Sequence, residues 1–391
     1  MRPFSRWYSF FGDAVKESSE AIRLDPKNPE YHFIKGNILY SAGRPEEASK
    51  EYQEAINLRP NDPSYHFNTG KVFAERGKYA EALVELQNAL KLSPGDPVIT
   101  WNIGTVFEKQ ENYKEALARY RAALKVVPDD PAYLLGAGRC LYHLARYKDA
   151  ENDLKESIKL SGNQEQAHLY LAMTYQKLGS IFDALDEYRK CLELNKNSLE
   201  YKQKIYEILR EMGRYEDSLK MTDEVLKTDA RNEAALLNKG TIFMIQAKYQ
   251  EALDIGKELL KLKDSNEIHE FMGNVLLQLG KLTEAGDEFR KVISQKPDNA
   301  DARRKLATIY MNAGDYDKSL AEYNEVLKLA PNDPEIIYEV GNIYLKKEML
   351  EDALKSFNEA ISLDPKNRIF RRRYYSGFKF LEGIIFLALI P

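Results

Sequence analysis

Apolar residues recur every three or four positions through stretches of about a dozen residues, then give way to a short polar turn. Nowhere does the alternation shorten to the two-residue period of a strand, so the pattern predicts amphipathic helices throughout. The stretch "GKYAEALVELQNALKLSPGDP" at 77–97 is one such helix with its stop. The same sentence stands before it at 43–63 as "GRPEEASKEYQEAINLRPNDP" and after it at 111–131 as "ENYKEALARYRAALKVVPDDP", with the same offset each time. Counted from Pro29, ten copies follow without a gap to Asn367. Nine are equal in length to the first, Pro29 to Asp62, and one, Glu233 to Ser265, is shorter by a single deletion. This is a true internal repeat.

Taking Pro29 as position 1 and Asp62 as position 34, position 8 reads Gly36, Gly70, Gly104, Gly138, Ala172, Tyr206, Gly240, Gly273, Ala307 and Gly341, small in nine of ten. Position 20 is Ala or Ser in all ten, position 11 is Leu or aromatic, and position 28 is Leu or Ile. Small residues at 8 and 20 let two antiparallel helices approach closely while large ones at 11, 17, 24 and 28 fill the surroundings, so each copy is a helical hairpin. The residue preceding each copy, at position 34 of the frame, is Asn28, Asp62, Asp96, Asp130, Gln164, Ser198, Asn232, Ser265, Asn299 or Asp333; nine of these can accept a bond from the free amides of a helix start. Five are followed by proline at the first helical position, and proline at position 32 stops the second helix in six copies.

Small residues at 8, 20 and 27, aromatic residues at 11 and 24 and proline at 32 make this unit resemble the tetratricopeptide repeat. Full copies span 29–367, and "FGDAVKESSEAIRLDP" at 11–26 adds the second half of an earlier one. The resemblance implies an all-α chain, a right-handed α-solenoid of tandem antiparallel helix pairs. It would have about ten full repeats plus a partial N-terminal one, with a concave groove lined by first helices that serves as a surface for other proteins. The expected organisation is a partial repeat at 1–28, five repeats at 29–198, a degenerate pair at 199–265, three repeats at 266–367 and an irregular basic and apolar segment at 368–391.

The copy from Leu199 to Asn232 departs from the pattern with Tyr206 at position 8, Thr222 at 24 and Ala230 at 32, and the next carries Gly256 at 24 and the deletion. Residues 199–265 are expected to form a seam that opens before the rest of the array. Neither terminus reads as a polar cap. One expectation is that Phe4, Trp7, Phe10 and Phe11 at one end and Phe378 to Ile390 at the other cover the open faces; the other is that the chain is a piece of a longer array or sits against a membrane or partner through Arg371 to Arg373 and the apolar tail.

Composition narrows the function. Lys+Arg of 57 against Asp+Glu of 61, interspersed, is unlike the basic bias that a phosphate backbone demands, which argues against nucleic acid. Two cysteines cannot form a disulfide framework, and no Asn-x-Ser/Thr acceptor occurs, so a reducing, cytoplasmic compartment is expected. The apolar run from Ile384 to Ile390 is far shorter than the roughly 20 residues that cross a bilayer, which leaves residues 371–391 as the sole expected route to membrane contact. Oligomeric state and partner identity are not legible.

Candidate binding residues follow from the resemblance, which places first-helix positions 2, 5, 6, 9, 12 and 13 in the groove. There stand Phe33, Phe67 and Trp101 at position 5, Asn68 and Asn102 at 6, Asn37, Lys71 and Arg139 at 9, and Tyr40 and Tyr142 at 12. Rings among amides suit an extended peptide, since rings bury side chains and Asn pairs with main-chain groups. The competing reading, in which the rings pack against the preceding copy and the asparagines are solvated, stands beside it. The basic clamp of chaperone-tail binders is absent: position 5 is Phe33, and the third copy offers Val98 and Asn102. His32, His66, His168 and His269 all fall at position 4, too far apart between copies to share a metal, and Cys140 and Cys191 fall at core positions. No catalytic residue, metal or cofactor is expected. The reading is a non-enzymatic scaffold for other proteins; the alternatives are a recruiting arm of a larger glycosyltransferase-like enzyme and a membrane-associated assembly factor.

Overall fold

The computed structural model describes residues 4–372 and 374, with side chains from residue 11 onward, and these form helices and no strand. The N-terminal helix is α1 (Phe4–Leu24). Five hairpins follow: α2 (Pro29–Ser41) with α3 (Pro45–Leu58), α4 (Pro63–Glu75) with α5 (Tyr79–Leu92), α6 (Pro97–Lys109) with α7 (Tyr113–Val126), α8 (Pro131–His143) with α9 (Tyr147–Leu160), and α10 (Glu165–Leu178) with α11 (Ile181–Leu194). Then come α12 (Leu199–Glu211), α13 (Tyr215–Thr228), α14 (Glu233–Ile245), α15 (Tyr249–Leu262), α16 (Asn266–Gln278) and α17 (Leu282–Gln295). Next are α18 (Ala300–Asn312), α19 (Tyr316–Leu329), α20 (Pro334–Lys346) and α21 (Leu350–Leu363), and residues 368–372 and 374 are helical as well. Packing divides the chain into two compact units, residues 1–208 and 209–391, and the division falls within α12.

Each hairpin is built on one close approach. The expected contact between positions 8 and 20 has a third member: the position 24 side chain lies directly on the position 8 glycine. A Cβ on Gly36, Gly104 or Gly341 would stand 2.5, 2.8 or 2.6 Å from Tyr52, Tyr120 or Phe357, and one on Gly70 or Gly138 would stand 2.7 Å from Leu86 or Leu154. The hydroxyls of the position 24 tyrosines emerge on the first helix: Tyr52 donates to Asn37 at 2.8 Å, Tyr120 to Glu108 at 2.5 Å and Tyr188 to Gln176 at 2.8 Å. Each ring is buried and its one polar atom is satisfied.

The turn inside each hairpin needs a left-handed residue at position 15. Gly43, Gly77, Gly179, Gly213, Gly280 and Gly314 supply it at no steric cost, whereas Glu111, Ala145, Ala247 and Glu348 are held at φ 58, 58, 57 and 61°. The position 34 caps also form. Asn28, Asp62, Asp96, Asp130, Asn232, Asn299 and Asp333 accept from amides of the following helix, and Ser198 accepts from Tyr201 at 3.2 Å. Ser265, the ninth that the sequence allows, does not; its Oγ is buried without a partner where the deletion shortens the connection. At the N-terminus α1 continues without a turn before residue 11, as the chain has Ser9 where position 15 would supply one.

The position 4 histidines are fastened to a carboxylate at position 23 of the second helix. Nδ1 lies 2.8 Å from Glu51 for His32, 2.6 Å from Glu85 for His66, 2.5 Å from Glu187 for His168 and 2.5 Å from Glu288 for His269. The second nitrogen of His66 and of His168 faces a backbone oxygen of the preceding turn, Pro60 at 2.9 Å and Gly162 at 3.3 Å. In the ninth copy Arg303 donates to the same two places, Pro297 O at 2.9 Å and Glu322 at 2.7 Å. After the deletion His269 turns instead to the side chain of Asp264 at 2.6 Å. The Glu187 hydrogen bond raises the His168 pKa above the ordinary histidine range, against the opposing effect of burial.

Residues 209–265 are packed differently from their neighbours. Asn238 is buried and donates to Ser218 at 3.1 Å and Thr222 at 2.8 Å, and its own carbonyl oxygen is buried without a partner. Gly240 and Gly256 occupy positions 8 and 24, and the missing ring is replaced from the next repeat: their Cβ atoms would meet Phe271 and Met272 at 2.7 Å. Phe271 is buried in consequence. Tyr206, the ring at position 8, is buried as well. The side chains of Phe4, Trp7 and Phe10, Arg373 and residues 378–390 lie outside the described residues. Arg371 and Arg372 are exposed, and Phe370 is buried against Tyr338 at 4.8 Å.

Replacing Ala145 or Glu111 by Gly should raise stability in urea unfolding by about 0.5–1 kcal/mol, and Gly77→Ala should lower it by a similar amount, because the left-handed region disfavours a Cβ. Unchanged midpoints would reject the strain argument. The contribution of His168 should be complete below about pH 6.5 and lost as the pH rises through its raised folded pKa, and Glu187→Gln should lower that pKa in an NMR titration. An unmoved titration would remove Glu187 as the cause. We also expect backbone amides of α13 and α14 to exchange faster than those of α16 to α19, since a partly satisfied polar core holds them; uniform protection would refute it.

Candidate functional site

In the first unit, first helices of successive repeats touch one another, α4 with α6, α6 with α8 and α8 with α10. That places them on the inner side of the stack, so their outward faces share one surface. Phe33 is half-buried there, tilted on Tyr52 at 5.7 Å and on Tyr65 at 4.9 Å, so this ring does pack against its own and the following copy. Asn37 accepts from Tyr52. Asn68 and Asn102 each donate through Nδ2 to a carbonyl of their own helix, Ser64 O and Val98 O at 2.8 Å, which fixes the amide and leaves Oδ1 outward as an acceptor. Tyr40 donates to Glu75, and that bond with burial pushes its hydroxyl pKa up to about 12.

Farther along, Arg139 is committed to Glu108 at 2.9 Å, the carboxylate that Tyr120 also holds. Tyr142 joins an aromatic cluster with Tyr147 at 5.8 Å and Tyr170 at 5.7 Å, beside His143 stacked on Tyr113 at 4.3 Å. Three candidates come together elsewhere. Lys71, Trp101 and Asn102 line a cleft of about 450 Å³ with Glu75, Leu86 and Lys109. The Lys71 ammonium stands 5.6 Å from the Phe67 ring and 5.9 Å from Tyr40, and the Trp101 indole nitrogen is buried without a hydrogen-bond partner.

Family models agree with this architecture. Models described as tetratricopeptide or TPR repeat match residues 36–75 and 70–111, 102–165 and 207–267, 166–198, 276–340 and 334–367. The chain belongs to the tetratricopeptide repeat family. No curated protein matches it. Among solved structures, YrrB, titled "a TPR protein with an unusual peptide-binding site", is 22% identical, with 47% of this chain and 96% of that one covered and a TM-score of 0.42. A tetratricopeptide repeat protein from Parabacteroides merdae ATCC 43184 is 17% identical, covering 64% of this chain and 98% of that one with a TM-score of 0.45. MamA of Desulfovibrio magneticus RS-1, from residue 41 to its end, is 21% identical, covering 44% and 97% with a TM-score of 0.41.

Within this tetratricopeptide array the sequence did not single out Leu86 or Lys109, although position 24 held part of the signal: Tyr52, Tyr120 and Tyr188 in copies one, three and five, but Leu86 and Leu154 in copies two and four. A second cleft, of about 380 Å³, lies in the other unit at the equivalent first-helix face, lined by Arg304, Thr308, Tyr323, Tyr338 and Phe370. Its cation is occupied, as Arg304 donates to Asp333 at 2.9 Å. Burial pushes the thiols of Cys140 and Cys191 up to about 12, which keeps them protonated and poor nucleophiles. Among the described residues no helix is long and apolar enough to cross a membrane.

Proposed function

We propose that this tetratricopeptide repeat protein is a non-enzymatic scaffold that holds an extended segment of a partner protein on the first-helix face of residues 29–198. The observation that supports this reading is the cleft in which Lys71, Trp101 and Asn102 converge. An aromatic wall, an outward amide oxygen fixed by its own helix and an ammonium over rings provide, within one peptide's width, apolar burial and main-chain pairing. Protein partners are what the family binds as a class, and its members are typically non-catalytic. Two protonated, buried thiols fit the reducing compartment in which such a scaffold would work.

The test uses a library of short random peptides displayed and selected on the full-length chain. Selected peptides should lose at least about tenfold in affinity, the size of one hot-spot contact, on Trp101→Ala/Asn102→Ala with helicity retained. Equal binding by the variant would overturn the groove reading.

A further inference from the structure

The repeat itself shows how the cleft arises. In copies one and three the position 24 tyrosine covers the position 8 glycine, and in copies one, three and five it sends its hydroxyl to position 9 or 12 of the first helix. Copies two and four have leucine there instead, Leu86 against Gly70 and Leu154 against Gly138, and at copy two a cleft lies between α4 and α6. Leu86, Ala74 and Val106 provide an apolar lining; Lys71 and Lys109 provide two cations.

The charges around it are unequally committed. Glu75, the one carboxylate of the lining, already accepts from Tyr40. Lys71 is half-buried, with the Tyr40 and Phe67 rings facing its ammonium, and among the described residues neither Lys71 nor Lys109 has a carboxylate within ion-pairing distance. The half-buried Lys71 ammonium, without a counter-charge, is a donor left over in this cleft. Resting on the groove-binding reading, we propose that this cleft takes an Asp or Glu side chain of the partner's extended segment, its methylenes on Trp101 and its carboxylate toward Lys71 and Lys109. Charge-assisted bonds of this kind are the stronger class, and charge complementarity fixes register and suppresses wrong sequences.

The experiment takes the best peptide selected on the full-length chain and measures its affinity by fluorescence polarisation beside three relatives: the acidic residue changed to its amide, the same changed to Lys, and the C-terminus amidated. The amide form should bind about tenfold more weakly, the effect of losing one partly buried charged bond, and the Lys form more weakly still. C-terminal amidation should change nothing; a loss there would mean that the carboxylate is terminal and would overturn the side-chain assignment. Lys71→Met, which keeps the apolar stem, should bring acid and amide forms within twofold. Leu86→Tyr should abolish binding at unchanged helicity and melting midpoint, since the neighbouring copies accept that ring against a glycine. Selected peptides without an acidic residue, or an acid form no better than its amide, would overturn the proposal while Trp101→Ala/Asn102→Ala could still weaken binding and leave the groove standing. Peptides indifferent to both Trp101 and Leu86 would overturn both.

Discussion

The close approach of a position 24 side chain to a position 8 glycine is the contact on which the array depends. A Cβ at Gly36, Gly70, Gly104, Gly138, Gly273 or Gly341 would come within 2.5–2.8 Å of the side chain above it. The helices of each hairpin are therefore set by the thickness of one ring or leucine lying on bare backbone. Burying one such side chain is worth on the order of 2–3 kcal/mol, and the contact recurs in copy after copy. Position 20 contributes by staying small: Ala48, Ala82, Ala116 and Ala150 are entirely buried. Everything on the first-helix face inherits its spacing from this contact.

Where the contact changes, its volume is supplied from another place. Gly240 and Gly256 leave the place of a ring empty between them, and Phe271 and Met272 of the next first helix enter the gap. Position 24 as Thr222 brings a polar pair with Ser218, which Asn238 then bridges. The His–Glu latches obey a similar economy. Glu stands at position 23 wherever a His or Arg occupies position 4, and in the third, fourth and seventh copies, with Thr100, Leu134 and Leu236 at 4, position 23 is Arg119, Asp153 and Ile255. The dependence runs one way: an imidazole or guanidinium at this buried site needs an anion at 23, whereas Asp153, opposite Leu134, takes its cation from Arg121 instead.

Helix number, hairpin pairing and nearly all caps were legible in the sequence because they rest on strictly periodic positions whose chemistry is local: Asp96 caps Val98 and Ile99 in its own chain neighbourhood. The Glu partners of the histidines were less visible, since the pairing crosses a hairpin and appears only when two columns of the repeat are compared. The site was legible as positions and not as chemistry. Phe33 and Trp101 share position 5 and each leans on the position 3 tyrosine of the following copy, Tyr65 at 4.9 Å and Tyr133 at 6.1 Å, yet only Trp101 also lines the cleft of Lys71 and Asn102. Arg139 and Lys71 share position 9, yet Glu108 neutralises one and rings face the other. These differences come from neighbours one repeat away, which single-column reading does not contain.

A perfectly regular array would present the same surface at every repeat and could select a partner only by length. Selectivity has to come from columns that vary while the framework columns hold. Position 24 is both: it is framework because it seats the glycine, and its outer end is part of the first-helix face. Tyr there closes the surface with a satisfied hydroxyl, and Leu seats the glycine equally well and, at Leu86, leaves the surface open. A single exchange between these two residues can therefore create or erase a binding cleft at little cost to the hairpin. That makes the irregular columns of the array, rather than its repeated ones, the place where its recognition chemistry is written.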